Sequence, residues 1–409
     1  MLSDRLYGPS PDVSGSAVIR KFDPRMISGI DLRRRDPVEG ESDAGEASDE
    51  ESDILSNALS NALSNALSNG LPDALPDALP GASCDSTRMF QPEDAEPPAG
   101  TARAVVADDG LELYVEVGGS SDAELTMVFC HGLALHLGCW NGQRTAFADR
   151  ARLVLYDQRG HGRSGRGAPG SATITQLGRD LYRVLEEVVP SGPVVLVGHS
   201  MGGMAIMALA EAHPDLFHDR VVGVALLSTS AGGLGHITLG LPAYGARLLQ
   251  PLVPGLLRVL GGRCRGYGHL AFAELVHLLV RRYSFASDVP SAVRQAAARI
   301  IDSTPIEVIG DYYATLMAHD RLAALDALRD VATLILVGRN DLVTPVEHSE
   351  TIAGTLPAAD FVVLPCTGHN LMLERPQNVN SSLEELLGRV TGPRPVALEA
   401  LSGVGRGAR

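Results

Sequence analysis

Six short apolar runs, at about 126–130, 153–157, 193–198, 221–228, 333–338 and 360–364, are each of strand length and bounded by glycine, proline or polar residues. Between them, residues 174–189, 201–212, 346–356 and 377–387 repeat apolar side chains at helical spacing. Upstream, residues 103–118 alternate apolar and polar positions around Asp108-Asp109-Gly110, the pattern of an opening hairpin. Strands that alternate with helices predict a mainly parallel sheet covered on both faces, with ligands bound beyond the carboxyl ends of the strands.

Two stretches break the alternation. Residues 234–325 carry helical patterning at 248–249, 256–257, 270–283, 292–301 and 305–317 and no strand signal, so they read as a helical insertion. Its apolar residues Leu241, Tyr244, Leu252, Leu256, Phe272, Tyr312 and Leu316 are candidates for the wall of an apolar pocket. Residues 1–100 hold an acidic run from Asp36 to Asp53 and a tetrapeptide repeat, Leu55-Ser-Asn-Ala58 onward, that is cut by Pro72, Pro76 and Pro80. Serine, asparagine and proline oppose a helix there, so this segment is expected to be a low-complexity, disordered tail. The resulting division is 1–100 tail, 101–233 first part of the core, 234–325 insertion, 326–391 second part of the core and 392–409 flexible terminus.

Charge follows the same division. Residues 1–100 contain 19 acidic and 8 basic side chains, about −11 of the total formal charge of −15, so the remainder is nearly balanced. A basic footprint for nucleic acid is missing. Five cysteines at 84, 130, 139, 264 and 366 show no paired spacing, which favours a reducing compartment. No run of about 18 apolar residues and no charged-then-apolar leader pattern occurs, so the expectation is a cytoplasmic protein without a transmembrane segment.

The chemistry is concentrated where strands end. Val194 to Val197 run into Gly198-His199-Ser200-Met201-Gly202, after which Met204 to Ala210 resume as a helix. A Gly-x-Ser-x-Gly turn between strand and helix forces the serine into a strained conformation and lifts its hydroxyl above the sheet. A hydroxyl is a weak nucleophile, so it needs a base, an orienting acid and donors for an oxyanion. Asp341 follows the run 333–338, and His369 follows the run 360–364. Upstream, the run 126–130 ends in His131-Gly132-Leu133, which offers the Leu133 N–H as one oxyanion donor and the Met201 N–H as the second. Asp157 and His161, in Asp157-Gln158-Arg159-Gly160-His161-Gly162-Arg163-Ser164, could also be recruited as triad members, whereas His131 and His199 read as hydrogen-bonding walls. No histidine spacing suits zinc, and the glycine loop lacks the Lys-Ser/Thr ending of a phosphate loop.

These four motifs, in the chain order Ser, Asp, His, resemble the α/β-hydrolase superfamily over about residues 103–391. The resemblance implies an α/β-hydrolase fold, with the helical insertion as its cap ahead of the acid-bearing strand. It implies Ser200 as nucleophile, His369 as general acid/base, Asp341 as its orienting acid, the Asp157–His161 loop as a brace for the elbow rather than part of the triad, and no cofactor or metal. The expected activity is hydrolysis of a carboxylic ester of lipid, monoacylglycerol or lactone type, on a small molecule with an apolar acyl group. Cofactor-free haloperoxidase-like and carbon–carbon hydrolase activities share this fold and triad, and a non-catalytic binding module is the alternative from another class.

Overall fold

The computed structural model describes residues 18–20, 100–236 and 283–391, all within one of the two compact units into which the chain divides. The repeats at 55–82, the insertion helices expected before residue 283 and the terminus at 392–409 lie outside the described residues.

Among the described residues a single sheet has nine strands: β1 (Val18–Arg20), β2 (Thr101–Val106), β3 (Glu112–Gly119), β4 (Thr126–Cys130), β5 (Arg152–Tyr156), β6 (Val194–His199), β7 (Val221–Leu227), β8 (Ala332–Gly338) and β9 (Asp360–Leu364). Their order across the sheet is β1-β9-β8-β7-β6-β4-β5-β3-β2. The six central strands are parallel, while β1 and the β2–β3 hairpin pair antiparallel at the two edges. Strand β1 is not signalled by the sequence pattern of the first hundred residues. Its three residues pair with Phe361 to Val363.

The central strands are apolar throughout because both their faces are covered. In β4, Val128 and Cys130 enter one core while Met127 and Phe129 enter the other; in β6, Val194 and Leu196 divide from Val195 and Val197 in the same way. Burying each such side chain contributes about 1.5–3 kcal/mol. The covering helices are α1 (Asn141–Phe147), α2 (Ile174–Val188), α3 (Met201–Ala212), α4 (Pro214–Asp219), α7 (Val346–Thr355), α8 (Leu371–Glu374) and α9 (Pro376–Thr391). None of the described helices is long and apolar enough to cross a membrane.

The described end of the insertion contributes α5 (Ser291–Asp302) and α6 (Ile306–Met317). Ile301 and Tyr312 are fully buried. Val308 and Tyr312 join Ile174, Leu177, Met201 and Met204 in a third apolar cluster, on which Leu133 and Leu316 pack. This end of the insertion is therefore part of the packed interior. The Tyr312 hydroxyl donates to the Arg159 carbonyl at 3.2 Å, so this candidate wall residue is committed to the core. Cys366 is disulfide-bonded, whereas Cys130 and Cys139 are free and buried.

Candidate active site

The turn from β6 into α3 holds Ser200 at φ 51° and ψ −118°, a conformation that L-residues rarely adopt. The turn closes because Gly198 and Gly202 carry no side chain: a Cβ on Gly202 would overlap the Cys130 carbonyl, and one on Gly198 would lie 2.7 Å from the Gly203 nitrogen. The Ser200 N–H donates to the Leu227 carbonyl at 2.9 Å, and its carbonyl accepts from Gly203 N–H at 2.9 Å and from the Thr229 hydroxyl at 2.7 Å. Ser200 stands at the helix N-cap, yet its hydroxyl makes no capping bond. It lies instead 3.1 Å from His369 Nε2.

His369 Nδ1 faces Asp341 Oδ2 at 2.9 Å. The Asp341 carboxylate is fixed by its own turn: Oδ1 accepts from the Val343 and Thr344 N–H groups, each at 2.9 Å, and Oδ2 accepts from the Thr344 hydroxyl at 2.9 Å. Burial pushes the Asp341 carboxyl up, but the neighbouring His369 charge and these hydrogen bonds outweigh it and hold the group below its usual value. The loop after β8 and the loop after β9 are joined through Arg339 N–H to Leu364 O at 2.8 Å and Asn340 N–H to Thr367 O at 3.0 Å. Ser200, His369 and Asp341 thus form one hydrogen-bonded line. They come from the carboxyl ends of β6, β9 and β8, at the face where the alternation of elements predicts ligands.

The two expected oxyanion donors flank this line. Gly132 approaches so closely that a Cβ there would lie 3.2 Å from Ser200 Cβ, which puts the Leu133 turn beside the hydroxyl. Met201 is the first residue of α3, whose opening N–H groups have no partner within the helix. The 131–137 loop is held by the segment after β5. The Asp157 Oδ1 accepts from Leu137 N–H and its Oδ2 from Arg163 N–H, each at 2.8 Å, and the Gln158 side-chain amide donates to the His131 carbonyl. Asp157 and His161 sit in this brace, apart from the Ser200–His369–Asp341 line. The neighbouring Arg159 is buried against Asp180, at 2.6 and 2.7 Å, and also reaches Asp109.

Three buried histidines surround the site, and their tautomers follow from their partners. His131 donates from Nδ1 to the Gly132 carbonyl and accepts from Gln158 N–H at Nε2. His161 donates from Nδ1 to the Arg159 carbonyl and accepts from Ala134 N–H. His199 donates from Nε2 to the His369 carbonyl at 3.0 Å, leaving Nδ1 buried with no hydrogen-bond partner. Burial lowers all three to about 3, and burial lowers His319, which donates to the Ser230 carbonyl, to about 4.

These four groups are neutral in the folded chain and would gain protons on unfolding below about pH 6.5. The stability tied to their neutrality is present above that pH and is lost as pH falls toward the folded values. Each contributes a slope of up to about 1.4 kcal/mol per pH unit in that window. The midpoint of thermal unfolding is therefore expected to drop steeply between about pH 6 and pH 4. A midpoint flat across that range would show that the histidines are not held neutral.

Thr344 and Glu374 were not singled out by the sequence. Thr344 had a usable signal, a hydroxyl three residues after an aspartate in a turn. Glu374 had only its place in the apolar stretch 371–374, where a carboxylate requires partners.

Residues 126–376 match the family described as alpha/beta hydrolase fold. The chain belongs to that family. It is 26% identical over 279 residues to the protein named "Putative carbamate hydrolase RutD" of Caulobacter vibrioides, spanning 68% of this chain and 96% of that one. Among solved structures it is similar to a thermophilic esterase of Thermogutta terrifontis, at 26% identity and a TM-score of 0.56, over 71% of this chain and 99% of the other. It is also similar to an enzyme described as degrading N-acyl homoserine lactone, at 28% identity and a TM-score of 0.50, over 69% and 99% of the two chains.

Proposed function

We propose that this chain is a serine hydrolase that cleaves a carboxylic ester, lactones included. The observation that carries the reading is the Ser200–His369–Asp341 line, with contacts of 3.1 and 2.9 Å. His369 Nε2 takes the Ser200 proton as Oγ bonds to the carbonyl carbon of the substrate. The carbonyl oxygen becomes an oxyanion facing the Leu133 and Met201 N–H groups, and Asp341 steadies the imidazolium. His369 then returns the proton to the departing alkoxide, which leaves as the alcohol. In the second half a water gives its proton to His369 and attacks the acyl-enzyme, and Ser200 recovers its proton as the acid departs.

The partly buried Leu133, Leu316 and Met317, which pack on the outside of the third apolar cluster, support an apolar acyl group. The names of the relatives, an esterase, a lactone-degrading enzyme and a carbamate hydrolase, describe attack on an acyl carbon bearing an oxygen or nitrogen leaving group. A fluorophosphonate probe is expected to label Ser200, and p-nitrophenyl esters of graded chain length are expected to turn over, with longer acyl chains preferred to acetate. An N-acyl homoserine lactone and a carbamate in the same panel locate the leaving group. Absence of both labelling and turnover would identify a binding module and overturn the proposal.

A further inference from the structure

Glu374 closes α8 and is 1% exposed. It has four donors, all neutral. Its Oε2 accepts the Gly368 N–H at 2.7 Å. Its Oε1 accepts the Ser287 N–H at 2.7 Å, the Ser287 hydroxyl at 2.6 Å and the Ala286 N–H at 3.2 Å. Gly368 immediately precedes His369. On the other side of the histidine, the Asn370 N–H donates to the Ser284 carbonyl at 2.9 Å. The two residues that flank His369 are therefore anchored to residues 284–287 of the insertion, Asn370 directly and Gly368 through the Glu374 carboxylate. The approach is backbone to backbone: a Cβ on Gly368 would lie 2.8 Å from the Ala286 nitrogen.

We propose that Glu374 is a positioning residue for the general base, a role that rests on the serine hydrolase reading: it fixes His369 by clamping the Gly368 N–H to residues 286 and 287 of the insertion. His369 must meet Ser200 Oγ and Asp341 Oδ2 at once, and nothing in its own side chain fixes where its Cα sits. On the downstream side of that Cα, His199 holds the His369 carbonyl and Ser284 holds the Asn370 N–H; on the upstream side, Glu374 holds Gly368. A displacement of about 1 Å in a catalytic group can cost about a hundredfold in rate. The clamp also makes the geometry of the base depend on the insertion, which supplies Val308 and Tyr312 to the apolar cluster beside the oxyanion donors.

Glu374→Gln and Glu374→Asp in the full chain test this. Glutamine keeps the size but turns one acceptor into a donor, which then opposes a backbone N–H. Aspartate keeps both acceptors but falls short by one methylene. The expected result is a kcat lowered about tenfold or more in Glu374→Gln with KM within about twofold of the parent, and a smaller loss in Glu374→Asp. In both, the low-field proton resonance of the His369–Asp341 hydrogen bond should shift or broaden. A role confined to filling buried donors would lower the melting temperature and leave kcat and that resonance in place. Folded Glu374→Gln with parental kcat and an unmoved resonance overturns the proposal, and if glutamine prevents folding the same outcome in Glu374→Asp does so. If the parent itself neither cleaves esters nor labels at Ser200, the hydrolase reading has failed, and the resonance alone then decides whether Glu374 positions His369.

Discussion

Ser200→Ala is expected to abolish ester turnover, by on the order of 10⁴-fold or more, while the protein folds as before. Every backbone contact that shapes the turn is independent of the hydroxyl: the Ser200 N–H to Leu227, and its carbonyl to Gly203 and Thr229, all persist in alanine. Only the Oγ that faces His369 is lost. Ser200→Gly sharpens the test, because φ 51° with ψ −118° strains any residue with a Cβ by about 1–3 kcal/mol and glycine escapes most of that strain. The glycine variant should be as inactive as the alanine variant yet melt at a higher temperature. Residual turnover near the parental rate in either variant would remove Ser200 from the chemistry. A glycine variant that melts lower would show that the turn is not strained.

The parts of this arrangement that were legible in the sequence are those written in apolar periodicity and in short local turns. Strands β4, β6, β8 and β9 carry five to seven residues each, buried on both faces, and a run of that composition has few other places to go. Because β6 to β9 are adjacent and parallel, the residues that follow their carboxyl ends must share one edge of the sheet, so Ser200, Asp341 and His369 meet there. The chain order of the three residues said as much.

Helix α1 was not legible, for a physical reason. Its sequence Asn-Gly-Gln-Arg-Thr-Ala-Phe lacks an apolar stripe, because two of its buried positions are polar. Gln143 donates to Asn380 at 2.9 Å and Arg144 pairs with the buried Glu116 at 2.6 Å. Asn380 lies 237 residues downstream and Glu116 on strand β3, so only the fold supplies them. Glu374 is the same case in sharper form. Its donors are main-chain N–H groups at 286, 287 and 368, and a main-chain donor leaves no trace in side-chain pattern. Strand β1 is three residues long and pairs with a strand more than three hundred residues downstream, beyond any local signal.

Asp341→Asn should reduce turnover by about 10⁴-fold with substrate binding nearly unchanged, the size of effect that a wrong histidine tautomer produces in an unrelated serine protease. The local hydrogen bonds give the reason. Oδ1 of Asp341 accepts two backbone N–H groups, from Val343 and Thr344, so an asparagine there must keep its carbonyl oxygen on that side. Its amide NH₂ is then turned toward His369 Nδ1 and the Thr344 hydroxyl, where the carboxylate Oδ2 had accepted. A donor facing Nδ1 favours the tautomer that carries its proton on Nε2. That proton points at Ser200 Oγ, and the ring can no longer accept from the nucleophile. Asp157→Asn meets a different situation, since both Asp157 oxygens accept from backbone N–H groups, of Leu137 and Arg163, and neither faces the triad. One of those donors loses its acceptor, so the expected cost is about 1–3 kcal/mol of stability, with turnover within about tenfold of the parent at temperatures where the variant is folded. Steady-state kinetics and thermal melts on the two variants read the contrast directly. Loss of turnover in Asp157→Asn together with retained turnover in Asp341→Asn would mean that the acid acting on His369 is Asp157.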